Sequence, residues 1–164
     1  MAAFLSRGVA AVVAAGLLWG CAWEPTRVPL GTPEAEVVQR LGAPTGRYAM
    51  PDGTTRLQYS RQPMGPAVSN IDLDAQGRVR VITQVLEDAR FHQDIRSNEW
   101  TREDLLRHYG QPAFRSQVSS FKGDVWTWRY HWYNTPRLLH VFVDTQGVVR
   151  RYETADEQFL EPDL

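Results

Sequence analysis

The 164-residue chain has one cysteine, Cys21, and so can close no internal disulfide; its stability must come from packing. It also lacks a long hydrophobic run, because its most apolar stretch, Val9 to Leu18, is too short to cross a bilayer stably. Charge of one sign is not in excess. With 18 basic and 19 acidic residues the net charge is −1, and no nucleic-acid-binding patch follows from the composition. Catalytic signatures are missing as well. Ser60, Ser69, Ser97, Ser116, Ser119 and Ser120 sit in no Gly-x-Ser-x-Gly elbow, and there is neither a Gly-rich phosphate loop nor a His-Glu-x-x-His pair. Asp72, Asp74 and Asp144 are the acidic residues nearest to a carboxylate constellation, but Asp74 and Asp144 occupy the first positions of tight turns, where Asp caps its own backbone. The expectation is a non-enzymatic protein with no cofactor, no metal and no small-molecule substrate.

What is present begins with the position of the lone cysteine. Arg7 precedes the apolar run, and Leu17-Leu18-Trp19-Gly20-Cys21 closes it, which is the layout of a bacterial lipobox. On this reading residues 1–20 are a signal peptide. Cys21 becomes the first residue of the mature protein and carries acyl chains, each buried methylene adding about 0.8 kcal/mol to membrane anchoring. An ordinary secretory signal that contains a cysteine is the alternative. Ala22 after the cysteine, where Asp would favour inner-membrane retention, points to the periplasmic face of the outer membrane. Loss of Arg7 with the leader turns the charge balance into 17 basic against 19 acidic residues, or about −2. Residues 21–30, with Pro25 and Pro29, read as a tether.

The rest of the chain carries an internal duplication, residues 31–86 and 100–156. Thr32-Pro33-Glu34, Val37-Val38, Leu41-Gly42-Ala43-Pro44, Leu57-Gln58-Tyr59 and Ile71-Asp72-Leu73-Asp74-Ala75-Gln76-Gly77 recur, in that order, as Thr101-Arg102-Glu103, Leu105-Leu106, Tyr109-Gly110-Gln111-Pro112, Trp128-Arg129-Tyr130 and Val141-Phe142-Val143-Asp144-Thr145-Gln146-Gly147. Each half reads as one short helix followed by antiparallel strands. Thr32 and Thr101 are N-caps, Pro33 suits the first helical turn, and Gly42 and Gly110 stop the helices. Residues 87–99 form an amphipathic connector whose Phe91 is expected in the core, and the acidic tail 157–164 is expected to fray. The fold class is α+β: two tandem helix-plus-antiparallel-sheet repeats with the helices packed on one sheet face.

The pattern Thr-x-x-x-Val-x-x-x-Leu-Gly-x-Pro, an aromatic strand, then apolar-x-apolar-Asp-x-x-Gly-x-Val resembles the SmpA/OmlA family, best known for the BamE outer-membrane protein assembly lipoprotein. Two such units in tandem also resemble the architecture of the secreted β-lactamase inhibitory protein. The resemblance implies a protein-interaction module in outer-membrane protein or envelope assembly, with barrel-assembly components as candidate partners. It departs from the family in having two units, and from the inhibitor in having no disulfides. A binder that occupies a periplasmic or extracellular enzyme is the alternative.

Matched positions sort the sheet faces. Leu57, Tyr59, Ile71, Leu73 and their counterparts Trp128, Tyr130, Val141, Val143 point toward the helices, with Trp126 and Trp132 in register. The other face carries Arg56, Gln58, Ser60, Asn70, Asp72, Arg80 and Ile82 in the first half. In the second half it carries Thr127, Arg129, His131, His140, Phe142, Arg150 and Tyr152. Arg and aromatic side chains dominate protein-binding hot spots, so Arg129, His131, His140, Phe142, Arg150 and Tyr152 are the candidate partner-binding residues. A solvated sheet face with a few amphipathic side chains is the plainer alternative.

Overall fold

A computed structural model describes residues 24–158. The signal segment 1–20, Cys21 and residues 159–164 lie outside the described residues. The architecture is mixed α+β. One four-stranded antiparallel sheet holds β1 (Gly46–Ala49), β2 (Thr55–Ser60), β3 (Val68–Leu73) and β4 (Val79–Gln84), in chain order. A second holds β5 (Phe114–Ser116), β6 (Gly123–Trp132), β7 (Thr135–Asp144) and β8 (Val149–Asp156). Helix α1 (Glu34–Leu41) precedes the first sheet; α2 (Asp88–Asp94) and α3 (Arg102–Tyr109) precede the second.

The helix boundaries follow from local chemistry. Thr101 caps α3 in a capping box: its hydroxyl accepts from the Asp104 amide, and the Asp104 carboxylate accepts from the Thr101 amide at 2.9 Å. Thr32 does not cap α1. It lies in an extended stretch whose carbonyl accepts from Val79, its hydroxyl donates back to Pro29, and Pro33 takes the N-cap position. Gly42 and Gly110 end the two helices at φ 82 and 72, a region that disfavours any side chain. Asp74 and Asp144 each accept two backbone amides across their turns, from Gln76 and Arg78 and from Gln146 and Val148. These carboxylates are committed to turn structure.

Two hydrophobic clusters form. Val37 and Leu41 of α1 pack with Leu57, Tyr59, Ile71, Leu73, Val79 and Val28. Leu105 and Tyr109 of α3 pack with Trp126, Trp128, Tyr130, Leu139, Val141 and Val143, together with Phe91 of α2. Val68, Val85 and Leu86 of the first half also belong to this second cluster, so the two halves share apolar surface. Phe91 is 1% exposed and meets Tyr130 edge-on at 5.0 Å, which fastens the connector to the second sheet. From Pro25 onward, the segment read as a tether packs on β3 and β4, with Pro25 and Val28 buried and Gly31 donating to Val79.

Three facings differ from the alternation read in the sequence. A β-bulge in each sheet leaves one residue over: Leu73 pairs with Val79 but Asp72 with Val81, and Val143 pairs with Val149 but Phe142 with Arg151. Each bulge shifts the inside-outside parity of the following strand by one. Ile82 and Tyr152 therefore turn inward against the clusters, while Arg80 and Arg150 are the unpaired bulge residues. Trp132, in register with the buried row, is half-exposed at the end of β6, where it forms the last pair, with Thr135, before the hairpin turn.

The outer face of the first sheet is also covered. The C-terminal end of α3 docks on it: Gln58 Nε2 lies 3.3 Å from the carbonyls of Leu106, Arg107 and His108, and Asn70 Nδ2 donates to the His108 carbonyl at 2.9 Å. Gln58 and Asn70 are each 1% exposed. Carbonyls at a helix end have no intrahelical partner, and here the opposite half of the chain supplies the donors. Beside them Arg56 and Asp72 form a bidentate pair at 2.6 and 2.8 Å.

Candidate interaction surface

The outer face of the second sheet is set by the β6–β7 register: Val125 opposite Phe142, Thr127 opposite His140, Arg129 opposite Leu138, and His131 opposite Pro136. The flanking strands add Phe114 beside Thr127, and Arg151 and Glu153 beside Phe142 and His140. Val125, Thr127 and Phe142 on this face are buried, and its cover comes from side chains of the same half and, at Arg129, from the β2–β3 loop. Phe121 meets Phe142 edge-on at 5.3 Å, and the Arg151 guanidinium lies 3.4 Å over the Phe142 ring.

Of the six residues singled out in the sequence, Arg129, His131, His140 and Phe142 share this face. Phe142 is nevertheless buried beneath Phe121 and Arg151. His140 Nδ1 lies 2.9 Å from Thr127 Oγ1, and burial holds its imidazole below the ordinary value, favouring the neutral ring. His131 is exposed near the hairpin tip. It stands four strand positions from Thr127, the residue opposite His140, or about 13 Å along the sheet, so the two histidines are not a ligand pair. Arg150 belongs to another place, bound to Asp144 at 2.7 Å and to Asn98 Oδ1 at 3.0 Å. Tyr152 faces the core. Among the described residues no group of three His, Cys, Asp or Glu could hold a metal ion, and no helix is long and apolar enough to cross a membrane.

Arg129 is the most engaged member of the set. Its Nε donates to Glu157 Oε1 at 2.6 Å and its Nη1 to the Pro63 carbonyl at 3.0 Å. Its backbone is held by Gln62: the Arg129 amide donates to Gln62 Oε1 at 3.2 Å, and Gln62 Nε2 donates to the Arg129 carbonyl at 2.6 Å. β5 stops pairing with β6 near Thr127, and the Gln62 carboxamide takes the place of a neighbouring strand two residues further on. Glu157, read as part of a fraying tail, is fixed by Arg129 and donates its amide to Pro136. Pro63, Met64, Pro66, Arg129, His131, Pro136 and Glu157 then line a groove of about 440 Å³. Gln62, Phe114, Phe121 and Glu157 were not flagged in the sequence, and no local pattern marks them; their roles arise from tertiary contacts.

A second groove, about 420 Å³, lies between the halves and includes Met50, Arg56, Arg96, Trp100, Arg107 and His108. Its charges are matched internally, Arg56 with Asp72, Arg107 with Asp104 and Arg96 with Glu99, and the mostly buried His108 ring lies 3.2 Å from Asp94. Among the described residues no convergent set of uncommitted polar groups faces it.

No family model matches the chain, and no curated protein matches it. Among solved structures, the DUF4309 family protein YjgB from Bacillus subtilis subsp. subtilis str. 168 aligns over 76% of this chain and 78% of that one, at 13% identity and a TM-score of 0.32, a likeness too slight to carry an argument about fold or function.

Proposed function

We propose that the chain is a non-enzymatic outer-membrane lipoprotein, anchored through Cys21 and working on the periplasmic face as a protein-interaction module in outer-membrane protein or envelope assembly. The observation that carries the reading is an asymmetry of the two sheets. The outer face of the first is sealed by the end of α3, while that of the second, closed over Val125, Thr127 and Phe142, leaves Phe114, Arg129, Leu138 and His140 partly exposed. A mixture of Arg, His and aromatic side chains on a partly exposed sheet face suits a protein partner.

The chain is further proposed to be two SmpA/OmlA-like units in tandem. Support comes from the equivalent placement of the glycine helix stops, the Asp-led turns, the isolated bridges Pro33–Arg78 and Thr101–Val148, and the two bulges. A one-residue insertion at the same strand position in both halves is a specific coincidence for unrelated segments.

A photocrosslinker placed at Phe114, on native envelopes, tests the function. Adducts with barrel-assembly components support it. Adducts with a hydrolase would replace it by the inhibitor-like reading, and an absence of protein adducts would overturn both. Fractionation tests the anchor: Cys21→Ser should move the protein from membranes to the soluble periplasm.

A further inference from the structure

The first described residue, Glu24, lies three positions after Cys21, and the chain is already packed on the first sheet at Pro25. Four Cα steps reach at most about 14 Å. An acyl group on Cys21 would therefore hold one particular end of the body against the membrane, and the path of the chain identifies that end. Gly31 pairs with Val79 near the β3–β4 turn, and Glu24, seven residues earlier, lies within electrostatic reach of Arg61, which places the start of the described chain at the opposite end of the sheet. That end carries the β2–β3 loop. Glu24 is close enough to Arg61, at the start of this loop, for the guanidinium to help hold its carboxyl below the ordinary value; the hydroxyl of Thr26 is the larger cause.

The loop lies beside the tip of the β6–β7 hairpin, joined to it through Gln62 and Arg129. Here stand the two most exposed large hydrophobic side chains among the described residues, Met64 at 93% and Tyr133 at 85%, with Trp132 at 47%. The Trp132 and Tyr133 rings meet at 5.3 Å, and the Arg137 guanidinium lies 5.7 Å from the Trp132 ring. Arg137 is itself paired with Asp156, and it is the exposed Trp and Tyr that suit the level of lipid headgroups, where one edge of the ring is apolar and the other wet.

We propose that this end rests on the bilayer, with Met64, Trp132 and Tyr133 in the headgroup layer, so that the body stands upright on the membrane rather than swinging from it. This rests on the lipid-anchor reading of Cys21. Ten residues of β6 separate the hairpin tip from Gly123, so the far end is held about 30 Å above the lipid and the outer face of the second sheet looks sideways into the periplasm.

The test uses the full-length lipidated protein on phosphatidylethanolamine–phosphatidylglycerol vesicles. Cys21 is blocked by its own lipid, so a single introduced cysteine can carry a fluorophore: Met64→Cys, Tyr133→Cys, or Ser119→Cys at the far end. Headgroup-nitroxide lipids should quench the labels at 64 and 133 several-fold more than the label at 119. Equal quenching at the three positions on protein that sediments with the vesicles would overturn the upright placement and leave the anchor standing. Sedimentation of Cys21→Ser with vesicles to the same extent as the native protein would overturn the anchor, and the proposal with it.

Discussion

Gln58 occupies the space that a side chain on Gly110 would need. A β-carbon on Gly110 would lie 2.6 Å from Gln58 Oε1, at a backbone φ of 72. Gly42 has the same backbone role at φ 82, but nothing lies within 4 Å of its would-be β-carbon. Gly42→Ala should cost about 1 kcal/mol through the backbone alone. Gly110→Ala should cost about 1–3 kcal/mol more, because the contact between the halves must also give. Urea unfolding of both variants, with and without Gln58→Ala, checks this: the excess should shrink when Gln58 is shortened.

Arg56 and Asp72 stand beside that contact with side chains 14% and 13% exposed. Arg56 also lies 3.4 Å from the Arg107 carbonyl. Removal of either partner leaves a buried charge without its counterion. Asp72→Ala and Arg56→Ala should each cost about 3–5 kcal/mol, and the double variant should cost clearly less than the sum. Additive effects would place the pair in water rather than between the halves.

His108 gives the fold a pH dependence of defined sign. Burial holds its imidazole below the ordinary value, with Arg56 and Arg90 acting in the same direction and Asp94 opposing. The folded protein then binds fewer protons than the unfolded chain in this range, so stability rises with pH. The contribution is complete above the ordinary histidine value of about 6.5 and is lost as the pH falls through the lower folded value. His140 is depressed by burial too and adds a slope of the same sign. Denaturation midpoints measured between about pH 7.5 and 5 should fall with acid, and fall less steeply in His108→Gln.

Trp128 is fully buried and packs 5.7 Å from the Tyr109 ring, whereas Phe114 is 40% exposed on the outer face. Trp128→Ala should cost about 3–5 kcal/mol as a core cavity. Phe114→Ser should leave the unfolding midpoint within about 0.5 kcal/mol of the parent and weaken partner capture. Arg129→Glu is a poorer probe of binding, since it would set a second carboxylate against Glu157 and loosen the β2–β3 loop.

The sequence shows what local chemistry controls. Alternation places Leu57, Tyr59, Trp126, Trp128 and Tyr130 inward, glycine marks the helix stops, and Asp74 and Asp144 mark the tight turns. What it hides is parity and docking. A single bulge residue reverses the facing of Ile82 and Tyr152, and alternation contains no sign of which strand will bulge. The burial of Gln58 and Asn70 depends on His108 of α3, which lies 50 and 38 positions away in the chain. Thr32 loses its capping role to a strand-like pairing with β4, again a partner distant in sequence. The candidate site is half legible for the same reason: Arg129, His131 and His140 obey simple alternation, while Arg150 is the bulge residue and Tyr152 comes after it.

The Gln62 carboxamide satisfies one backbone amide and one carbonyl of β6 where β5 no longer reaches. Left bare, that stretch would be a template for foreign strands. One side-chain amide thus occupies the edge positions at which another chain's strand would pair.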